Sequence, residues 1–139
     1  MVALNGLLAI IGHNYSAFLL ERGNDGKLHF RGGAGGATTL GVAIGLWVNS
    51  WLIILPIAFL VYLVIGYASI TTISIALSTT GIFTVKAIQG VMPWIYAGLG
   101  LAALSVILIA LRPNLKRLKE GTERRVNLLA RIFRPKRFK

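Results

Sequence analysis

Long runs without a charged residue dominate the pattern of this chain. The longest run covers 54 residues, from 32 to 85, and two shorter runs cover 87–111 and 1–20. A helix needs about 20 apolar residues to cross a bilayer, so the longest run is long enough for more than one crossing. The pattern therefore predicts an all-α fold, a polytopic bundle of helices in a membrane.

Polar residues, glycines and prolines divide these runs into elements. Asn49 and Ser50 interrupt the longest run once, and the segment Gly66–Ser69 interrupts it again. Pro93 suits the first turn of a further helix, and Pro113 disfavours helix at the residue before it. We expect four to five helices, at 2–12, 36–48, 51–66, 68–84 and 93–111, with a polar loop over 13–31. The first segment is too short to cross a membrane without preceding residues. Because it is not preceded by a basic stretch, we do not expect a cleaved signal peptide.

The charged residues are concentrated near the C-terminus. The chain has 15 Lys and Arg against 4 Asp and Glu, a net charge of +11, although 55% of its residues are hydrophobic. This combination excludes a disordered basic tail and most soluble domains. Residues 112–139 alone contain eleven Lys and Arg and two acids. The positive-inside rule therefore predicts that the C-terminus of this multi-pass membrane protein lies in the cytoplasm. We expect the protein in the plasma membrane.

We divide the chain into a transmembrane helical region, 1–112, and a basic cytoplasmic tail, 113–139. Residues suited to one helix face recur every three or four positions in the tail, at Leu115, Leu118, Thr122, Val126, Leu129 and Phe133. This spacing predicts an amphipathic helix on an anionic lipid surface, and a solvated basic end is the alternative. Counting crossings back from the tail places the polar segments near 13–36, 67–69 and 113–123 together on the cytoplasmic side.

A glycine loop near 31–37 precedes one of the predicted helices. It contains Gly32, Gly33, Gly35 and Gly36, and Arg31 stands immediately before it. Glycines allow successive backbone N–H groups to converge on an anion, and a helix N-terminus adds partial positive charge. The loop is not a Walker motif, because the following Lys-Ser/Thr pair is absent. Phosphate binding and close helix packing are both open for this loop.

Few side chains are suited to acid–base or metal chemistry. The chain has two His, no Cys and no cluster of carboxylates, so we expect no metal site, no thiolate chemistry and no disulfide. His13, at the membrane edge, is either a general base or a hydrogen-bonded structural residue. Ser69 and Thr72, at the start of a predicted helix, either bind substrate or donate to carbonyls of their own helix.

A group of polar residues follows the last predicted transmembrane helix. Asn114 supplies an amide, Arg117 is one of several cations, and Glu123 supplies a carboxylate. The cations are suited to phosphate, and the carboxylate is suited to a hydroxyl group or to one of the cations. By the crossing count, this group lies on the same side as the glycine loop.

Three segments in this order resemble motifs of the PlsY family, the bacterial membrane glycerol-3-phosphate acyltransferases that use acyl phosphate as donor. The resemblance covers residues 12–123. The first segment combines Gly12-His13-Asn14-Tyr15-Ser16-Ala17-Phe18 with Phe30-Arg31-Gly32-Gly33-Ala34-Gly35-Gly36-Ala37-Thr38. The second is Tyr67-Ala68-Ser69-Ile70-Thr71-Thr72-Ile73, and the third is Arg112-Pro113-Asn114-Leu115-Lys116-Arg117-Leu118 with Gly121-Thr122-Glu123.

The resemblance implies a seven-helix enzyme, of which this chain matches the C-terminal two-thirds. Such an enzyme moves an acyl chain from acyl phosphate to glycerol 3-phosphate and forms lysophosphatidic acid for phospholipid synthesis, without a metal or a coenzyme. The implied catalytic residues are His13, Ser69, Asn114 and Glu123. Phosphate binding is implied for Arg31, Gly32, Gly33, Gly35 and Gly36, and substrate binding for Thr72 and Arg117. We expect both substrates and membrane lipids as partners and no nucleic acid, and the oligomeric state is open.

The chain departs from the family pattern at three positions. Ala34 stands where the family usually has Lys, Leu111 where it has His, and Gly66 where an Arg commonly precedes the Tyr. The first family motif has no counterpart before residue 12, so we expect either an N-terminally truncated or a divergent acyltransferase. Arg31 or Lys27 then replaces the missing Lys electrostatically. The alternative is a small non-catalytic membrane subunit with a basic lipid-binding tail; a transporter is disfavoured because no charge lies mid-helix.

Overall fold

The computed structural model of the chain describes residues 1–15, 20–22, 28–30 and 32–126. These residues form six α-helices, α1 (Val2–Asn14), α2 (Gly36–Leu46), α3 (Trp51–Ile65), α4 (Ala68–Ile88), α5 (Trp94–Ala110) and α6 (Arg112–Lys119). They also form two short strands, β1 (Leu20–Arg22) and β2 (Leu28–Phe30). The predicted helical membrane bundle is confirmed: α1 to α5 correspond to the five predicted helices, and α6 lies at the start of the tail, where an amphipathic helix was also expected.

Most of the predicted breaks are where the polar residues and prolines indicated them. A 3-10 turn, Val48–Ser50, separates α2 from α3, and Gly66 ends α3 in the left-handed region with φ of +78°. Pro93 immediately precedes α5, and α5 and α6 meet at a bend of 59° beside Pro113. Glycine ends a helix in this way because it lacks the Cβ that makes positive φ unfavourable.

The segment predicted as a polar loop contains a small antiparallel hairpin. In β1 and β2, Leu20 pairs with Phe30, Glu21 with His29 and Arg22 with Leu28. The expectation of a loop without secondary structure over 13–31 is therefore wrong at these six residues. Three-residue strands are too short to give a recognisable alternation of polar and apolar positions.

The helices alternate in direction between two ends of the bundle. Gly36, at the start of α2, packs against Thr72 near the start of α4, and Trp47, after α2, lies 4.7 Å from the Lys86 ammonium near the end of α4. α2 and α4 therefore run in the same direction, and α3 returns between them. We call the end with the start of α4 the glycine-loop end, and the end with Lys86 the Lys86 end.

Two described segments are long and apolar enough to cross a membrane, Val48–Ile65 and Ala68–Ile88. A third results if α5 and α6 count as one bent span, and α1 and α2 are shorter apolar helices. At 1.5 Å per residue, α2 is about 16 Å long, which is less than the ~30 Å thickness of the hydrocarbon core. It nevertheless extends from the level of Thr72 to the level of Lys86 alongside α4.

The buried core forms two clusters along the bundle. One contains Ala43, Ile54 and Phe83, from α2, α3 and α4. The other contains Ala76 from α4, Ile107 from α5 and Leu111, which lies between α5 and α6. Large apolar side chains of α3 also face outward, among them Leu52, Phe59, Leu60 and Val64. An outward apolar surface of this kind is expected where helices face lipid tails instead of water.

The helix of the tail is shorter than its apolar spacing predicts. α6 ends at Lys119, and Gly121 has φ of +69°. The N–H of Thr122 donates to the Arg117 carbonyl (2.8 Å) and that of Gly121 to the Leu118 carbonyl (3.1 Å), a Schellman arrangement that closes a helix. A single amphipathic helix is therefore wrong beyond Lys119 in the described part. Residues 127–139 lie outside the described residues, and the division at residue 112 stays a prediction.

Candidate active site

The glycine loop lies directly on the last turn of α1. The N–H of Gly33 donates to the His13 carbonyl at 3.1 Å. A Cβ at Gly32 would overlap the Asn14 carbonyl, and a Cβ at Gly33 would overlap the His13 imidazole. Close packing is thus one reason for glycine at these two positions, and the N–H of Gly33 is already occupied.

The loop continues into the N-terminus of α2. Gly35 precedes the helix with φ of +77°, and a Cβ there would lie 2.5 Å from Oδ1 of Asn14. A Cβ at Gly36 would lie 3.1 Å from Oγ1 of Thr72. The N–H groups of the first turn of a helix have no acceptor within the helix, and the backbone bond from Thr39 to Gly35 (2.9 Å) is the first that α2 makes. The start of α2 is therefore suited to an anion as well.

A cleft of about 510 Å³ opens beside the loop, between the end of α1 and the junction of α5 with α6. Asn14 and Gly33 line it on one side, and Arg112 and Asn114 line it on the other. Arg112 is the charged residue among the described residues that line the cleft. A guanidinium group binds phosphate oxygens well, because its N–H groups form a planar fork.

The apolar wall of the cleft joins two of the departures from the family pattern. Ala34 and Leu111 both line the cleft, and Ala34 packs against the buried cluster that contains Leu111. The absence of a Lys at 34 and of a His at 111 therefore affects one continuous surface. Because Ala34 and Leu111 are apolar, the positive charge of the described cleft comes from Arg112, the residue after Leu111.

Ser69 and Glu123 form the hydrogen bond that links the start of α4 to the segment after α6. The Ser69 hydroxyl donates to Oε2 of Glu123 at 2.9 Å, and Ser69 is only 1% exposed. Thr72 behaves differently, because its hydroxyl donates to the Ala68 carbonyl at 3.0 Å. The alternative of a bond within the same helix is therefore correct for Thr72 and wrong for Ser69.

The chain on both sides of Glu123 is anchored. On the side of α6, the backbone N–H of Glu123 donates to the Arg117 carbonyl at 3.2 Å. After it, the N–H of Val126 donates to the Gly66 carbonyl (2.9 Å), and Nε of Arg125 donates to the Ile65 carbonyl (3.2 Å). The bonds of Arg125 and Val126 attach the segment after Glu123 to the turn between α3 and α4. The carboxylate is therefore held in place by backbone contacts in addition to the bond from Ser69.

The structure brings most of the predicted site residues to the glycine-loop end. Asn114 is half-buried and lines the cleft, whereas His13 is exposed and lies against Gly33. The side chain of Arg117 is exposed, and its carbonyl closes the turn before Glu123. Arg31 lies outside the described residues. The predicted meeting of three polar segments at one end is borne out by these contacts, and their cytoplasmic side stays a prediction.

Three residues of this end were not selected from the sequence. Asn14 and Arg112 stand in the motif segments without an implied role, although an amide directly after an apolar helix is a detectable signal. Arg125 is one of many cations of the tail. In the described part, no three His, Asp or Glu side chains come together as metal ligands do.

The fold and this end of the bundle define a helical integral membrane protein with a polar, anion-compatible cleft between its helix ends. A sequence profile of the family described as glycerol-3-phosphate acyltransferase matches residues 1–121. The chain is also 38% identical over 120 residues to the glycerol-3-phosphate acyltransferase of Thermus thermophilus, and 35% identical over 127 residues to that of Geotalea daltonii. The chain belongs to the glycerol-3-phosphate acyltransferase family.

Solved structures of PlsY, an integral membrane glycerol 3-phosphate acyltransferase, have a similar fold. The glycerol 3-phosphate form matches with a TM-score of 0.72 and 26% identity, and the lysophosphatidic acid form with 0.73 and 25%. Each match covers 95% of this chain and 60% or 61% of the solved chain. The match to the Thermus thermophilus relative covers 86% of this chain and 54% of the relative, and the match to the Geotalea daltonii relative covers 88% and 56%. The chain thus spans little more than half of the length of the proteins that it matches. Because these proteins are acyltransferases, the alternative of a non-catalytic subunit is not favoured.

Proposed function

We propose that this chain carries out the acyl transfer of its family in the plasma membrane, with its C-terminus in the cytoplasm. The substrates are acyl phosphate and glycerol 3-phosphate, and the products are lysophosphatidic acid and inorganic phosphate. The observation that carries the proposal is the 2.9 Å bond from Ser69 to Glu123, in a family member whose glycine loop borders a cleft. The bond fixes a carboxylate at the same end of the bundle as the anion-compatible loop.

Phosphate binding is the first role in this proposal. The N–H groups of the first turn of α2 supply donors, and Arg112 supplies positive charge from the junction of α5 with α6. Gly32, Gly33, Gly35 and Gly36 allow the loop to approach the ligand closely, and Arg31, which lies outside the described residues, is a further proposed phosphate-binding cation. The contribution of Arg112 matters because Ala34 brings no charge to the wall.

The carboxylate of Glu123 is the proposed group that acts on the nucleophile. Because Ser69 donates to Oε2, the carboxylate is oriented, and its other oxygen, Oε1, accepts the hydroxyl proton of glycerol 3-phosphate. The hydroxyl oxygen forms a bond to the acyl carbon, and the bond from that carbon to the phosphate oxygen breaks. Phosphate leaves with the electron pair, so the reaction needs positioning and charge neutralisation and no redox partner.

The remaining predicted residues have supporting roles in the proposal. Asn114 lines the cleft and binds phosphate oxygens, and His13 holds the loop from the side of Gly33. Thr72 supports Gly36 at the start of α2. Arg117 attracts the anionic substrates from the exposed surface, while its backbone positions Glu123.

The test uses the whole chain in lipid vesicles, with radiolabelled glycerol 3-phosphate and a long-chain acyl phosphate. We expect labelled lysophosphatidic acid, and we expect Arg112→Ala to lower its formation by roughly tenfold or more, as for a lost charge-assisted contact. The matched control is Arg124→Ala, an exposed cation of the same tail, which leaves the rate unchanged. Absence of product with the whole chain, while added full-length Thermus thermophilus relative is active in the same vesicles, would contradict the proposal.

A further inference from the structure

The amide of Asn14 is buried without a hydrogen-bond partner in the described part of the chain. Asn14 is 4% exposed, and neither its Nδ2 nor its Oδ1 has an acceptor or a donor there. Buried polar groups are nearly always paired, because desolvation without a new hydrogen bond is unfavourable. An orphaned amide of this kind therefore indicates a group that pairs with something the chain itself does not supply.

The position of this amide indicates where such a partner would be. Asn14 is the last residue of α1 and lines the 510 Å³ cleft together with Arg112 and Asn114. Its Oδ1 lies so close to Gly35 that a Cβ there would be 2.5 Å away. The glycine loop thus folds around the amide, and Asn14 lines the cleft with its amide buried directly behind the cleft surface.

The chemistry of an amide distinguishes it from the other groups of the cleft. Arg112 and the N–H groups at the start of α2 only donate, which suits the oxygens of a phosphate. An amide offers N–H donors and a carbonyl acceptor side by side. A hydroxyl group, which both donates and accepts, satisfies both sides of the amide, whereas an anion satisfies only the donors.

We propose that Asn14 is the subsite for a hydroxyl group of the glycerol moiety, next to the phosphate site of the cleft. This inference rests on the proposed function and adds a specificity determinant to it. Asn14 would select a phosphorylated polyol over a phosphate ester without hydroxyl groups. It orients the substrate and takes no proton, because an amide does not titrate in the accessible pH range.

The experiment compares three ligands by calorimetric titration of the whole chain in detergent micelles. The ligands are glycerol 3-phosphate, propyl phosphate, which has no hydroxyl group, and inorganic phosphate. We expect the wild-type chain to prefer glycerol 3-phosphate over propyl phosphate by roughly tenfold or more, because a site that pairs a hydroxyl rejects the analogue that lacks it. We expect Asn14→Leu, similar in size and apolar, to bind both esters equally and inorganic phosphate as before.

Thr39→Val is the matched control. Thr39 is 1% exposed, and its hydroxyl also lacks a partner among the described residues, but it does not line the cleft. We expect this variant to keep the preference of the wild type. Asn14→Ala, which needs no space for a branched side chain, replaces Asn14→Leu if the latter does not fold.

The possible results separate the two proposals. If both Asn14 variants keep the preference for glycerol 3-phosphate, Asn14 pairs with water and the inference is overturned while the proposed function stands. A uniform weakening of all three ligands would also overturn it, because that result indicates a structural role. If the folded wild-type chain binds none of the ligands, the proposed function fails, and this inference fails with it.

Discussion

The two ends of the helical bundle differ in how they treat their polar groups. At the Lys86 end, the Lys86 ammonium lies over the ring of Trp47, and Gly90 makes a tight turn with open space around it. At the glycine-loop end, polar side chains converge from α1, α4 and the segment after α6. There Ser69 bonds across the fold to Glu123, and Asn14, whose amide is buried, lines a cleft.

The glycines of the two ends show how a turn differs from a site. Both ends contain glycines with positive φ, namely Gly90 at one end and Gly35, Gly66 and Gly121 at the other. Gly35 and Gly66 are packed tightly against other segments, with Asn14 beside Gly35 and Val126 beside Gly66, whereas nothing lies within 4 Å of a Cβ at Gly90 or Gly121. Glycine content alone therefore does not identify a site, whereas glycines that bring separate polar segments together do.

The largest expected effect concerns the sides of the membrane on which the two ends lie. The chain has no Cys, so single cysteines can be introduced at exposed positions, as Gln89→Cys at the Lys86 end and Glu120→Cys near the glycine-loop end. Positive charge near the tail keeps that end in the cytoplasm. In intact cells, an impermeant maleimide labels only Gln89→Cys, and it labels Glu120→Cys after permeabilisation. Labelling of both in intact cells would contradict the assignment of sides.

The next effect tests the chemistry of one end against the other. Glu123→Gln keeps the size of the side chain and removes its charge, so we expect the rate of acyl transfer to fall about 100-fold, as for loss of a general base. Ser50→Ala is the control at the Lys86 end, where the Ser50 hydroxyl is buried without a partner in the described part. Steady-state rates in vesicles measure both variants, and an equal loss of rate in the two would refute the comparison.

The smallest effect separates backbone strain from contact. Gly35→Ala and Gly90→Ala both force a side chain into positive φ, which destabilises the fold by about 1–2 kcal/mol in each case. Gly35→Ala also displaces Asn14, since its Cβ would lie 2.5 Å from Oδ1, whereas nothing lies within 4 Å at Gly90. Thermal unfolding in detergent should show the larger loss for Gly35→Ala, and weaker glycerol 3-phosphate binding for that variant alone. Equal losses, with binding intact, would mean that Asn14 adapts.

Much of the fold was predictable because its signals are local. Uncharged runs, Asn49-Ser50, Gly66 and the two prolines near 93 and 113 each act on their own helix. The hairpin of β1 and β2 was missed because its strands are only three residues long. The end of α6 was missed because the apolar spacing continues past Gly121, whereas a left-handed cap stops the helix there.

The sequence predicted which residues form the site, but it did not predict which of them contact each other. The motifs brought Ser69 and Glu123 to attention, but 54 positions separate them in the chain, and no local pattern indicates that one donates to the other. The same holds for Ala34 and Leu111, which are departures in separate motifs and meet in one apolar wall. Contacts of this range depend on how α4 and α5 pack.

By itself, the sequence determined a helical membrane protein, its family motifs and the segments that carry its polar residues. It did so because hydropathy, proline, glycine and charge act within a few positions of each residue. Only the tertiary structure decided that Ser69 bonds to Glu123, that Arg112 is a wall of the cleft, and that the amide of Asn14 is left without a partner among the described residues. These facts depend on distances between helices, which no local pattern encodes.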